Sequence, residues 1–160
     1  MTEKEKQAHK TTKKYMWGAV GAAALIPLPL LDFLAVSGVQ LKMVAAISKI
    51  YDVPFEANCG KAVIGSLVGS LVPGAVSCGA ALSVLKATPL INVFGGAAMA
   101  LISGATTWAL GKVFIQHFES GGTFLDLNPD EVRQYFKAQF EEGKKMAAMM
   151  KTEEKGEAPA

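Results

Sequence analysis

The 160-residue chain is poor in the side chains that carry chemistry: it has two cysteines and two histidines. Cys59 and Cys78 have neither metal-ligand spacing nor a redox Cys-x-x-Cys arrangement, and both lie in or beside apolar sequence. They read as small buried residues in a reducing compartment, not as a disulfide framework. The phosphate-binding pattern Gly-x-x-x-x-Gly-Lys-Ser/Thr is missing. Gly60-Lys61 has Phe55 where the upstream glycine belongs and is followed by Ala62. Gly111-Lys112 is too far from Gly104, and Val113 replaces the hydroxyl that would hold magnesium. No His-Glu-x-x-His or Gly-x-Ser-x-Gly motif is present. His9 stands in a basic N-terminal stretch, and His117 has no second histidine or cysteine spaced to join it. Spacing alone leaves a Cys–His or Ser–His pair open, but the candidates sit in apolar segments. The expectation is a non-catalytic protein without cofactor or metal. A net charge of only +2 gives no bulk signal for nucleic acid.

Charge is also missing from two long stretches, residues 62–85 and 87–111, separated only by Lys86. At about 1.5 Å per residue, a helix through either is long enough for a hydrocarbon core of roughly 30 Å. The pair predicts an all-α fold built on a transmembrane helical hairpin with flanking amphipathic helices, the spans running over about 62–85 and 90–111. Gly65-x-x-x-Gly69 in the first stretch and Gly95, Gly96 and Gly104 in the second form narrow surfaces for close helix packing. Val72-Pro73-Gly74 predicts a kink, with a re-entrant hairpin as the alternative.

Around this middle the chain divides into a basic tail (1–14), a single helical membrane domain (15–150) and a charged, disordered tail (151–160). Lys4, Lys6, Lys10, Lys13 and Lys14 can meet anionic headgroups or simply be solvated. The uncharged segment after them invites a signal-peptide reading, with Ala35-Val36-Ser37 as a small-x-small site. Pro27, Pro29 and Asp32 argue against it. The prolines instead end a first helix over about 15–26 and open a second, which Asp52-Val53-Pro54 stops. Asp32 then lies in a first turn, where the helix dipole favours a carboxylate. Its sharper reading is a polar membrane site shared with Gln40, two turns onward and partly on the same face.

Trp17, Trp108, Lys112 and His117 read as anchors at the membrane–water boundary, with core packing the competing reading for Trp108. Gly121-Gly122 ends that helix, and Asn128-Pro129-Asp130-Glu131 starts another. Val132, Tyr135, Phe136 and Phe140 recur at helical spacing, so residues 129–150 form an amphipathic helix able to pack on its own domain, a partner or a bilayer surface.

Particular residues also match a family. Ile26-Pro27 followed by Asp32, Gln40, Met43, Ile47 and Tyr51 resembles the opening of the YcjF-like family of bacterial membrane proteins. Residues 107–118, Thr-Trp-Ala-Leu-Gly-Lys-Val-Phe-Ile-Gln-His-Phe, resemble its closing segment, and Gly121-Gly122 follows. The resemblance spans about 15–143 and implies a domain of unknown function associated with the bacterial inner membrane. Some relatives carry it beside a small GTPase domain, which implies a cytoplasmic GTPase as partner rather than catalysis by this chain. Two function classes follow: a membrane module that recruits or responds to such a partner, or a small homo-oligomeric pore. With two spans, all but one of the basic residues share one side, so the positive-inside rule puts both termini in the cytoplasm. Three spans, counting 16–36, and a soluble helical bundle are the competing arrangements.

Overall fold

Lysines at positions 4, 6, 10, 13 and 14 leave one stripe of the N-terminal segment free of charge, and Ala8, Thr12, Met16 and Ala19 occupy it. In a computed structural model this segment is helical from Glu3. The structure describes the backbone of residues 1–25, 29–71 and 89–156, and the side chains of 1–21, 37–71 and 101–149. Helix α1 (Glu3–Leu25) takes in nearly all of the stretch that reads as a basic tail. The cause is tertiary: Ala8, Thr12, Met16 and Ala19 are fully buried, so the lysines decorate the outside of a packed helix.

Four more helices follow: α2 (Pro29–Ile50), α3 (Ala57–Gly69), α4 (Pro89–Glu119) and α5 (Pro129–Gly156). No strand occurs among the described residues. Several ends have local causes. Asp52 takes a left-handed φ of 58° after α2, and the Val53 N–H returns to the Ser48 carbonyl at 2.9 Å. Gly121, at φ 85°, closes α4 in the same way, with the Gly122 N–H bonded to the His117 carbonyl at 3.0 Å. Asn128 caps α5, its side-chain oxygen accepting the Asp130 N–H at 3.0 Å. Where the sequence predicts a disordered tail from Lys151, α5 continues to Gly156, because lysine and glutamate are good helix formers. Helix α3 starts inside the expected polar break of 52–61, with Gly60 held close to Leu41 and Phe124.

Directions follow from the contacts. The Thr2 hydroxyl donates to Glu119, Thr12 meets Gly111, and Val20 meets Gly104, so α1 runs antiparallel to α4. The pair Lys4–Asp52 makes α1 antiparallel to α2. Gln40 with Thr107 and Tyr51 with Glu119 make α2 parallel to α4. Gly143 against Ala105, and Ala147 against the Gly104 position, make α5 antiparallel to α4. The C-terminal half of α4 is therefore the axis of the bundle. Phe114, Phe118 and Phe124 form an aromatic centre, with ring centroids 5.3–5.7 Å apart. Met43, Val44, Ile47, Leu67, Leu110 and Phe136 close around it.

Among the described residues no helix is long and apolar enough to cross a membrane. Of the first expected span, 62–71 is described; α3 packs on α2 and α5, and 72–85 lies outside the described residues, as does the expected kink at Val72-Pro73-Gly74. The second, 90–111, is helical throughout, but from Ser103 to Leu110 its side chains are enclosed by α1, α2 and α5. A run without charge satisfies a protein interior as well as it satisfies lipid.

Candidate functional site

The buried polar side chains gather along α4. Thr106 and Thr107 donate to the carbonyls of Ile102 and Ser103 at 2.7 and 2.8 Å. Thr12 of α1 does the same to Ala8 at 3.0 Å. Such bonds let a hydroxyl enter an apolar interface without losing a partner. Gln40, only 2 % exposed, reaches across from α2 with its amide nitrogen 3.5 Å from the Thr107 hydroxyl. Of the expected polar membrane pair, Gln40 thus lies in an internal seam, facing Thr107. The side chain of Asp32 lies outside the described residues, although its backbone belongs to α2.

Trp108 is 5 % exposed, which settles its place in favour of the core. Its indole is wedged between α1 and α5, because Gly143 on α5 has no side chain to hold the helices apart. The Lys112 ammonium lies 5.4 Å from the ring centroid and the His9 ring 6.5 Å away. Lys112, itself half-buried, thus pairs with the buried Trp108 ring. Burial, then the nearby Lys112, holds His9 below the usual histidine range, with Glu5 opposing them. Trp17 is different: on α1 it is 44 % exposed.

His117 organises the turn after α4. Its Nε2 lies 2.8 Å from the Thr123 carbonyl and 3.0 Å from Asp126 Oδ1. Gly122 presses against the ring face so closely that no side chain fits there. Asp126 accepts the Thr123 N–H at 2.6 Å; this bond first, and then His117, holds its carboxyl below the ordinary value. The histidine is a loop clamp. At the same end, Tyr51 donates to Glu119 at 2.8 Å, and burial together with that carboxylate pushes its pKa up.

The expected packing glycines divide. Gly104 sits against Val20 and Ala147, whereas Gly65 and Gly69 meet nothing within 4 Å among the described residues. Gly95 and Gly96 belong to α4, but their surroundings lie outside the described residues. Two glycines not expected to pack also make close contacts: Gly111 with Thr12, and Gly143 with the backbone of Ala105. A glycine inside a strongly amphipathic helix, as Gly143 is, was the available signal, since it costs helix stability unless a neighbour needs the room. Among the described residues no group of three His, Cys, Asp or Glu is placed to hold a metal ion.

Fold and site together define an all-helical packing domain whose polar side chains join helices to one another. The chain belongs to the family described as Domain of unknown function (DUF697), whose model matches residues 1–145. This agrees with the YcjF-like resemblance of its sequence. It is 39% identical over 145 residues to Magnetosome membrane protein 22 of Magnetospirillum gryphiswaldense, an alignment covering 90% of this chain and 74% of that protein. No solved structure matches it.

Proposed function

We propose that this protein is a non-catalytic, membrane-associated helical module of the bacterial inner membrane, with both termini on the cytoplasmic face. The carrying observation is how the helix directions sort charge. They bring the uncharged ends of α1 (after Lys14), α2 (before Lys42, apart from Asp32) and α4 (before Lys112) to one end of the bundle. The opposite end holds Lys4, Glu5, Asp52, Glu119 and Asp126. The name of the magnetosome relative supports the membrane reading.

The same geometry bounds the depth of insertion. With α4 enclosed from Ser103 onward, the part of the helix before that residue measures about 20 Å at 1.5 Å per residue, against a core of roughly 30 Å. On α5, Lys144 and Lys145 already lie beside the level of Ala105 and Gly104. The choice between two full spans and a re-entrant hairpin falls on residues 72–88, outside the described residues. The charged end of the bundle is in either case free to recruit or respond to a cytoplasmic partner, a GTPase on the strength of the family resemblance. Gln40, buried against Thr107, does not face a water-filled pore, and the Asp32 side chain, the other candidate for that role, lies outside the described residues.

Carbonate-washed membranes test the anchoring: the protein should stay in the pellet, and release would sink the reading. Cysteine introduced at Ser120 should resist a membrane-impermeant maleimide added to intact cells. Labelling at Thr88 beside that protection marks two spans, and protection at Thr88 as well marks a re-entrant hairpin. For the partner, a detergent extract should retain GTP hydrolysis on the immobilised protein; repeated absence counts against recruitment.

A further inference from the structure

The face shared by α1 and α2 carries charge of one sign. After Glu5, α1 has no acidic residue, and after Asp32 neither has α2. Lys10, Lys13 and Lys14 on α1, and Lys42 and Lys49 on α2, are all exposed. The antiparallel register that joins Lys4 to Asp52 sets Lys14 level with Lys42 on the neighbouring helix. One turn beyond Lys14, Trp17 presents its ring to solvent, next to the uncharged end of α1. By contrast, α5 mixes Glu141 and Glu142 with Lys144 and Lys145, and Glu141 is paired to Lys144 at 2.8 Å.

Clustered like charges repel one another and stabilise nothing in the isolated fold. With an anionic surface opposite, each lysine gains about 1 kcal/mol, and an exposed tryptophan settles at headgroup level. We infer that the α1–α2 face, through Lys10, Lys14, Lys42 and Trp17, is a docking surface for anionic lipid headgroups. With the uncharged end toward the bilayer, this face then tilts onto the headgroups and α5 away from them. Charge complementarity selects the occupant: a surface that is negative, extended over several helical turns and apolar just beyond Trp17. This rests on the membrane-associated reading above and adds to it the lipid class and the side of the bundle.

Full-length protein is floated with vesicles of phosphatidylcholine alone, and of phosphatidylcholine mixed with phosphatidylglycerol. Binding should favour the mixed vesicles and fall as salt is raised. Lys10→Gln, Lys14→Gln and Lys42→Gln together should weaken it by on the order of a hundredfold, roughly fivefold per lysine. The charge-matched set Lys61→Gln, Lys137→Gln and Lys145→Gln should change it far less. In the wild type, lipids brominated near the headgroup should quench emission, and Trp17→Phe should abolish that quenching because Trp108 is buried. This readout does not depend on how the lysine variant folds. Equal binding to both vesicle types would overturn the inference and assign the lysines to an acidic protein, leaving the membrane reading intact. Equal loss in the two lysine sets would overturn it also, by making the effect one of net charge. Binding to neither vesicle would remove the membrane reading itself.

Discussion

Gly111 of α4 lies so close to Thr12 of α1 that a β-carbon there would overlap the threonine side chain. Thr12 cannot swing aside: it is β-branched, fully buried and bonded to the Ala8 carbonyl. Gly111→Ala gains roughly 1 kcal/mol of helix propensity but incurs overpacking of about 1–3 kcal/mol. The expected result is net destabilisation, worse for Gly111→Val and eased by adding Thr12→Ala. Thermal melts of the four proteins check this; an unchanged or raised midpoint for Gly111→Ala would mean that α1 and α4 do not meet as described.

Gly143 and the Gly65/Gly69 pair should respond in opposite directions. A β-carbon at Gly143 would stand 2.9 Å from the Cα and carbonyl oxygen of Ala105, and backbone cannot rotate away. Gly143→Ala should therefore separate α5 from α4 and expose Trp108, red-shifting its fluorescence. Gly65→Ala and Gly69→Ala meet no atom within 4 Å among the described residues and should be neutral or stabilising, by up to roughly 1 kcal/mol each. A loss of stability in these two would show that they already serve a helix contact.

Gln40 tests whether the internal seam is structural. Gln40→Ala leaves a cavity and strips Thr107 of its cross-helix partner, so a loss of about 1–3 kcal/mol is expected in denaturant unfolding. Gln40→Leu with Thr107→Val removes both polar groups while keeping volume, and should recover most of that loss. If membrane binding survives in the double variant, the seam is packing; if stability recovers while membrane binding is lost, the polar pair has a role in function.

His9 gives the fold a pH dependence of fixed sign. Its folded pKa lies below the ordinary 6.5, first through burial and then through Lys112. The unfolded chain therefore takes up the proton first. The stabilising contribution of neutral His9 is complete above 6.5 and is lost as pH falls from there through the lower folded value. His9→Gln should flatten this part of the stability curve. A wild-type curve that instead rises on acidification from neutrality, and flattens in the variant, would reverse the assignment.

Much of the local structure was legible because its causes are local. Asp52-Val53-Pro54, Gly121-Gly122 and Asn128-Pro129 each stop or start a helix by chemistry confined to a few residues. The helical state of residues 3–14 was not, since it depends on a partner far along the chain. Hydropathy records that residues 101–111 avoid water but is silent on what covers them, so protein and lipid read alike. The same ambiguity hid the place of Trp108, whose cover depends on Gly143 of another helix. Likewise, a Gly-x-x-x-Gly spacing marks a narrow surface without saying whether anything approaches it.

The antiparallel pairing of α1 with α4 also has a consequence for biosynthesis. Thr12 leaves the ribosome about a hundred residues before Gly111, its packing partner, so at about 5–20 residues per second α1 waits on the order of 5–20 s. During that interval the stripe of Ala8, Met16 and Ala19 has no α4 to cover it. Of these helices the earliest made is among the last to be secured, and a chain arrested before α4 emerges exposes that stripe to chaperones, proteases or the nearest bilayer.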